Sequence, residues 1–486
     1  MAGSSIPRSK KQVSIIIEQP NMGGISDSPY FGVKNSLGSV VGIDLHSVPG
    51  LFTVAQTLKL NSGSTITDLV KILPCSDGNI YFFGKTSGTV WERTSLGVYS
   101  TLGTVSPGAG SAGILDAYEF NGFIYYAMQN RLGQWNFANA FSTRNDNFAT
   151  FANGNASYHP MFYMLSTLYI GDGKNLAQVD KNNTFTGNAL VFTISIQITA
   201  LGKQVNDLFI GASPTSTINE SHVYRWNTWS QQTTYDYVVS EPSINCFFGS
   251  DADVFVQAGQ NCRFYLLNGS QFEMEKQIPS NFPTVYSNTA LAQVNYPAVA
   301  KFNGIPLFGV SSVSGNPCYE GVYAYGSRGA LYPNILTMPY PISSGNLSKI
   351  IIWSLATQGN NLFVSWQDNT SGSAVYGVDI IDWNNKYASA FFETRLIKYS
   401  RIWLDSFSKV VMNYQSLPVS TAINLFYDAN WAGYSQITAP NIITDSIRNE
   451  IVAEFDVQAK TIRYKVTFTV SGNNAPTLED VIILPQ

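Results

Sequence analysis

The 486 residues would fill two or three domains at about 150 residues each, although one large all-β unit can absorb far more. Aromatic residues make up 13% of the chain and Asp, Glu, Lys and Arg only 12%, against roughly 25% charged residues in an average soluble domain. That balance excludes an intrinsically disordered chain, and a formal net charge of −4 offers no overall field with which to hold nucleic acid.

Residues 1–60 read as an N-terminal arm followed by a lead-in strand. The arm carries Arg8, Lys10 and Lys11 ahead of Ile15, Ile16 and Ile17, an apolar run too short for a signal-peptide core. No window reaches the 18 or so apolar residues of a spanning helix, so synthesis without export and without a membrane span is expected. The Asn-x-Ser/Thr triplets at Asn155, Asn219, Asn268 and Asn346 are then read as Asn/Ser richness, not glycosylation. Residues 13–17 are β-prone but lie between basic residues and Pro20, which predicts a strand added to a neighbouring subunit's open edge, not one paired within its own chain. The segment Leu51-Phe-Thr-Val54 is predicted to close a blade.

Residues 61–395 read as short β-branched and aromatic strands separated by Gly, Asn, Asp, Ser and Pro clusters, with no sustained helical period. One signature recurs: Asn79-Ile-Tyr-Phe-Phe-Gly84, Gly122-Phe-Ile-Tyr-Tyr-Ala127, Thr167-Leu-Tyr-Ile-Gly171, Asp207-Leu-Phe-Ile-Gly211, Asp253-Val-Phe-Val256, Ile305-Pro-Leu-Phe-Gly309 and Asn361-Leu-Phe-Val364. Anchored on Tyr81, Tyr125, Tyr169, Phe209, Phe255, Leu307 and Phe363, the copies step by 44, 44, 40, 46, 52 and 56 residues, the period of a four-stranded propeller blade. A second anchor follows ten residues later at Trp91, Trp135, Val179 and Tyr265. The expected fold is all-β: a seven-bladed β-propeller whose sheets bury one another's faces around an axis. Two unrelated sandwiches with coincidentally recurring strands are the alternative.

Residues 396–486 change to longer strands. Along the run from Ile462 to Val470, Ile462, Tyr464, Val466, Phe468 and Val470 alternate with Arg463, Lys465, Thr467 and Thr469, so one face is buried and the other wet. With Ile402-Trp-Leu404, Val410-Val-Met412, Ile423-Asn-Leu-Phe-Tyr427 and Val481-Ile-Ile-Leu484, this predicts a C-terminal antiparallel β-sandwich.

No spacing assembles a catalytic set, and the chain is expected not to be an enzyme. The string Ser76-Asp-Gly-Asn79 lacks the timely Trp of a sialidase Asp box, and neither kelch double glycines nor WD dipeptides close the blades. Gly171-Asp-Gly-Lys-Asn175 with Asp180, and Asp251-Ala-Asp253, are acidic turns without calcium-loop spacing. Paired carboxylates for glycoside hydrolysis would have to come from Asp77, Asp116, Glu119, Asp251 or Glu320, which sequence cannot bring together. His46, His159 and His222 fall in unrelated segments, and Cys75, Cys246, Cys262 and Cys318 form no metal-ribbon pair, so no catalytic, metal or cofactor residue is assigned.

The stretches Gly23-Gly-Ile-Ser-Asp-Ser-Pro-Tyr30, Val41-Gly-Ile-Asp-Leu-His-Ser-Val-Pro-Gly50 and Ile72-Leu-Pro-Cys-Ser-Asp-Gly-Asn79, with the closing Thr461-Ile-Arg-Tyr-Lys-Val-Thr-Phe and Ala475-Pro-Thr-Leu-Glu-Asp-Val481, resemble virion structural proteins of tailed bacteriophages, in particular tail propeller proteins of the nozzle or tip. The resemblance touches about a quarter of the chain and implies a place in the virion tail. It further implies a ring of identical copies in contact with other tail proteins; the net charge leads to no expectation of sequence-specific nucleic-acid binding. The lean surface charge fits burial between subunits. A receptor- or glycan-binding tail protein is the alternative, and a polysaccharide hydrolase on the same fold a third.

Overall fold

A computed structural model describes residues 15–17, 23–27, 35–106, 113–153, 158–192, 195–249, 253–278, 291–314, 318–327, 333–398, 405–437, 442–443 and 449–485. Arg8, Lys10, Lys11, Asp251 and the 402–404 strand lie outside these residues. Two compact units emerge: one of residues 58–325 with 340–381, the other of residues 1–57, 326–339 and 382–486.

The larger unit is a succession of antiparallel sheets, all-β and consistent with a β-propeller. The first sheet runs Val70–Pro74, Ile80–Gly84, Thr89–Arg93 and Tyr99–Thr104, and the second Ile114–Phe120, Phe123–Met128, Arg131–Trp135 and Asn145–Thr150. The third runs Met161–Met164, Thr167–Asp172, Asn175–Val179 and Phe185–Val191, the fourth Ile196–Gln204, Asp207–Pro214, Ser221–Trp226 and Tyr235–Val239, and the fifth Ile244–Gly249, Val254–Ala258, Arg263–Asn268 and Gln271–Gln277. Leu291–Phe302, Ile305–Ser314 and Gly321–Gly326 come next. The last sheet is Ile350–Gln358, Asn361–Asp368 and Val375–Lys386, completed by Gln56–Leu60 from far upstream in the chain. The expected closing strand at residues 51–54 lies instead in the smaller unit, and closure falls to the strand after it.

Each signature anchor occupies the second strand of its sheet, the strand with both faces covered. Tyr125, Phe209 and Phe363 have no exposed surface, and Tyr81, Tyr169 and Phe255 very little. Neighbouring sheets share a core. Phe83, Ile114, Tyr126 and Trp135 join the first two, Tyr125, Leu132, Ile170 and Val179 the next two. Ile72, Phe82, Trp91, Phe363 and Val378 join the last sheet to the first. Burying each large aromatic side chain contributes about 1.5–3 kcal/mol, and such rings recur in the cores that neighbouring sheets share.

The smaller unit holds two facing sheets. One is ordered Ile43–Asp44, Phe52–Val54, Thr477–Pro485, Asp405–Tyr414 and Glu450–Ala459. The other contains Leu37–Val41, Phe391–Thr394, Ile462–Thr469 and Ala422–Ala429, with Val41 also pairing in parallel with Met338. Phe52 stacks on Phe392 across the interior with centroids 4.4 Å apart, and Ile462, Tyr464, Val466 and Phe468 are buried as their alternation predicts. The expectation that residues 13–17 leave their own chain unpaired is corrected: Ile15–Ile17 pairs antiparallel with Val481, Ile482 and Ile483 of the same chain. A β-prone triplet satisfies its backbone groups at any edge in register, and sequence alone does not say whose edge that is.

Candidate functional site

The first strand of a sheet in the larger unit has a partner on one side only, so its other edge would leave backbone N–H groups unsatisfied. Polar side chains of another sheet meet that need at five junctions between sheets. Met161 N donates to Asp116 Oδ2 at 2.8 Å, Ile244 N to Ser213 Oγ at 3.0 Å and Val294 N to Gln257 Oε1 at 3.1 Å. Ile352 N donates to Ser311 Oγ at 2.9 Å, and Val70 N and Ile72 N donate to Ser365 Oγ and Ser354 Oγ at 3.1 Å each.

Five first strands of the larger unit carry bulges. Register shifts fall between Ile114 and Asp116, Ile198 and Ala200, Ile244 and Cys246, Val294 and Val299, and Ile352 and Ser354. An extra residue opposite one partner re-aims its side chain. Leu115, Thr199, Asn245, Pro297 and Trp353, all within these shifts, line one cavity of about 240 Å³. His159, just before Met161, lines it from the third sheet, so the cavity sits where successive first strands converge.

The wide bulge of the sixth sheet crosses that space. Tyr296 OH donates to Met161 O at 2.8 Å, tying the sixth sheet to the third, and burial raises the phenol well above its ordinary pKa. His159 is buried, with Nδ1 2.7 Å from Gly171 O, Nε2 3.0 Å from Gln129 O and its ring stacked 4.0 Å from Phe151. Burial lowers its pKa, so this histidine serves as a packing element. Trp353 is 6% exposed, and Lys85 Nζ sits 3.5 Å from its ring centroid; burial brings that ammonium down to about 8.

Of the four described carboxylates among the five considered from sequence, the structure brings Asp116 alone to the cavity. It is buried and paired with Lys71 Nζ at 2.9 Å, so the ion pair adds no net charge. Asp77 accepts from Tyr81 OH at 2.7 Å in a turn of the first sheet, and Glu119, on the first strand of the second sheet, accepts from Ser76 N of that turn at 2.8 Å. Glu320 is wholly buried and accepts from Ile350 N. Asp251 lies outside the described residues. The acidic turn at Asp172 is spent internally: its carboxylate, raised by burial, accepts from Ala152 N at 2.8 Å and from Asn153 N. Among the described residues no group of three or more His, Cys, Asp or Glu side chains could hold a metal ion, and no helix is long and apolar enough to cross a membrane. All four cysteines are free and buried.

Sequence reasoning missed the cavity, yet a signal was present. Ten residues before the seven anchors stand Lys71, Leu115, His159, Thr199, Asn245, Pro297 and Trp353. All but Lys71 line the cavity, and Lys71 reaches Asp116.

No protein-family model matches the chain, and no curated protein matches it by sequence. Distant likenesses among solved structures are to β-propeller proteins. The computationally designed Ika8 protein is 10% identical, with 67% of this chain and 99% of that chain covered and a TM-score of 0.39. The extracellular domain of the hybrid two component system BT4673 from B. thetaiotaomicron is 14% identical, with 79% of this chain and 45% of that one covered and a TM-score of 0.45; this chain thus spans under half of its length. Exo-beta-1,3-galactanase from Phanerochaete chrysosporium is 12% identical, with 88% of this chain and 100% of that one covered and a TM-score of 0.29. At such identities the likeness concerns the fold alone.

Proposed function

We propose that this chain is a non-catalytic structural component of a tailed-phage virion, a ring-forming tail protein of the nozzle or tip that acts through contacts between its own copies and with other tail proteins. In this reading the larger unit is a seven-bladed propeller closed by Gln56–Leu60, and the two facing sheets of the smaller unit form a β-sandwich. The observation that carries the assembly role is exposed apolar surface on a chain poor in charge. Trp229 is 86% exposed, and Tyr235 and Val238 of the outer strand Tyr235–Val239 are exposed as well. Leu96 and Val419 are also almost fully exposed. A protein coated with 12% charged residues gains solubility by covering such groups, and an outer strand with a bare edge supplies backbone donors and acceptors for a neighbour.

Two measurements test this. Sedimentation and negative-stain microscopy of the purified chain should show rings that form with rising concentration, and Trp229→Ser should weaken that assembly without lowering the melting temperature. Antibody against the chain should label the tail of purified particles. A chain that stays monomeric at all concentrations and is absent from particles would overturn the reading.

A further inference from the structure

We propose that the axial cavity of the larger unit is a binding site for one neutral saccharide residue, a function beyond the assembly role. Three features of the lining select this class. Charge is the first: the cavity's one carboxylate, Asp116, has Oδ1 on Lys71 Nζ and Oδ2 on Met161 N, so neither a cation nor an anion finds an unpaired counter-charge there.

Hydrogen-bond capacity is the second. Gln260 and Gln293 line the cavity, half-buried, and their carboxamides have no partner among the described residues. Asn295 Nδ2 is spent on Ile352 O at 2.7 Å, while its Oδ1 has no described donor. A carboxamide donates from one end and accepts at the other, which matches adjacent sugar hydroxyls that do both. The same groups facing an apolar ligand would be left unpaired, each at a cost to binding.

Shape is the third. A volume of about 240 Å³ holds the equivalent of about eight waters, room for one pyranose ring but not for a folded peptide segment. Tyr158, 46% exposed, provides an aromatic face on the lining against which the C–H face of a sugar can stack. With room for one ring, the cavity would take a glycan by its terminal residue.

Saturation-transfer NMR on the full chain tests this, with glucose, galactose, mannose, rhamnose and N-acetylglucosamine as neutral probes and glucuronate as the charged one. At least one neutral sugar should receive saturation at millimolar concentration. Gln260→Ala and Gln293→Ala should each weaken that binding about 2- to 10-fold, the loss of one hydrogen bond, and Tyr158→Ala should weaken it further. Trp229→Ala, on the outer face, should leave it unchanged. Because both glutamines are half-buried and unpartnered, their variants should melt like the parent, so a lost signal reports binding and not unfolding. No transfer to any neutral probe, a signal that survives all three cavity variants, a signal lost with Trp229→Ala, or a preference for glucuronate would overturn the site. Sedimentation of the same samples reads the assembly role separately, so the two proposals fail independently.

Discussion

Glu320 shows how a single residue ties the fold to solution conditions. It is wholly buried, accepts from the backbone of Ile350 at the start of the last sheet, and burial raises its carboxyl from 4.5 to about 8. The folded chain therefore keeps a proton that the unfolded chain releases above about pH 4.5, so the folded state binds more protons across that window. Its stabilising contribution is fully present below the unfolded pKa and is lost as pH rises through 8. Asp379, buried and accepting from Ser343 N at 2.7 Å, is raised to about 6 and adds a loss of the same sign at lower pH. Glu320→Gln keeps an acceptor for Ile350 and removes the titration. Urea midpoints measured from about pH 5 to pH 9 should fall for the parent and fall less for the variant, with a gap of about 1–3 kcal/mol at the alkaline end. Parallel curves for the two proteins would mean Glu320 is ionised in the fold. None of this was legible in sequence, where Glu320 was one of five possible catalytic carboxylates. What decides its chemistry is a first strand whose backbone meets it from 30 residues away.

At the scale of the strand, the signature residue two places beyond each anchor has a physical reason. In three sheets it is a glycine with ordinary backbone angles, retained because the next sheet's first strand lies against it: a Cβ on Gly171 would meet Ile198 at 2.8 Å, on Gly211 Ile244 at 2.4 Å and on Gly309 Ile352 at 2.1 Å. In two others it is polar, Gln257 and Ser365, and caps the next strand's N–H. Gly309→Val should therefore destabilise the chain by about 1–3 kcal/mol through overpacking, read as a lower urea midpoint with an unchanged slope. An unchanged midpoint would show that Ile352 yields freely. The repeat was visible because strand alternation and the blade period leave a trace in residue type. The cavity was not, because the seven positions ten residues before the anchors share a place in the strand and no chemistry. A bulge selects by geometry, so Leu115, Thr199, Asn245 and Trp353 can stand at equivalent points with nothing in common.

Over the whole molecule, the pairings least legible in sequence are those between the chain's ends. Leu37 pairs with Thr394 and Phe52 with Leu478, and a partner more than 350 residues away imposes no local pattern beyond a β-prone triplet or pentad. The strand Ile15–Ile17 belongs to the same class. It lies along residues 481–483 of Thr477–Pro485, whose opposite edge is taken by Asp405–Tyr414, so removing it bares one edge and leaves the other paired. Deleting residues 1–20 should lower the melting temperature of the isolated chain by a few degrees, at roughly 2–4 °C per kcal/mol of lost stability for a unit of about 150–250 residues. The bared edge also becomes a template for another chain, so the truncated protein should associate in a concentration-dependent way through this edge even when Trp229→Ser has weakened association through the outer face. Differential scanning calorimetry and sedimentation of the single and combined variants measure both effects. If the truncated chain melts with the parent and gains no association, the strand is not held by its own chain in solution, and its backbone groups are free to pair with a neighbouring copy.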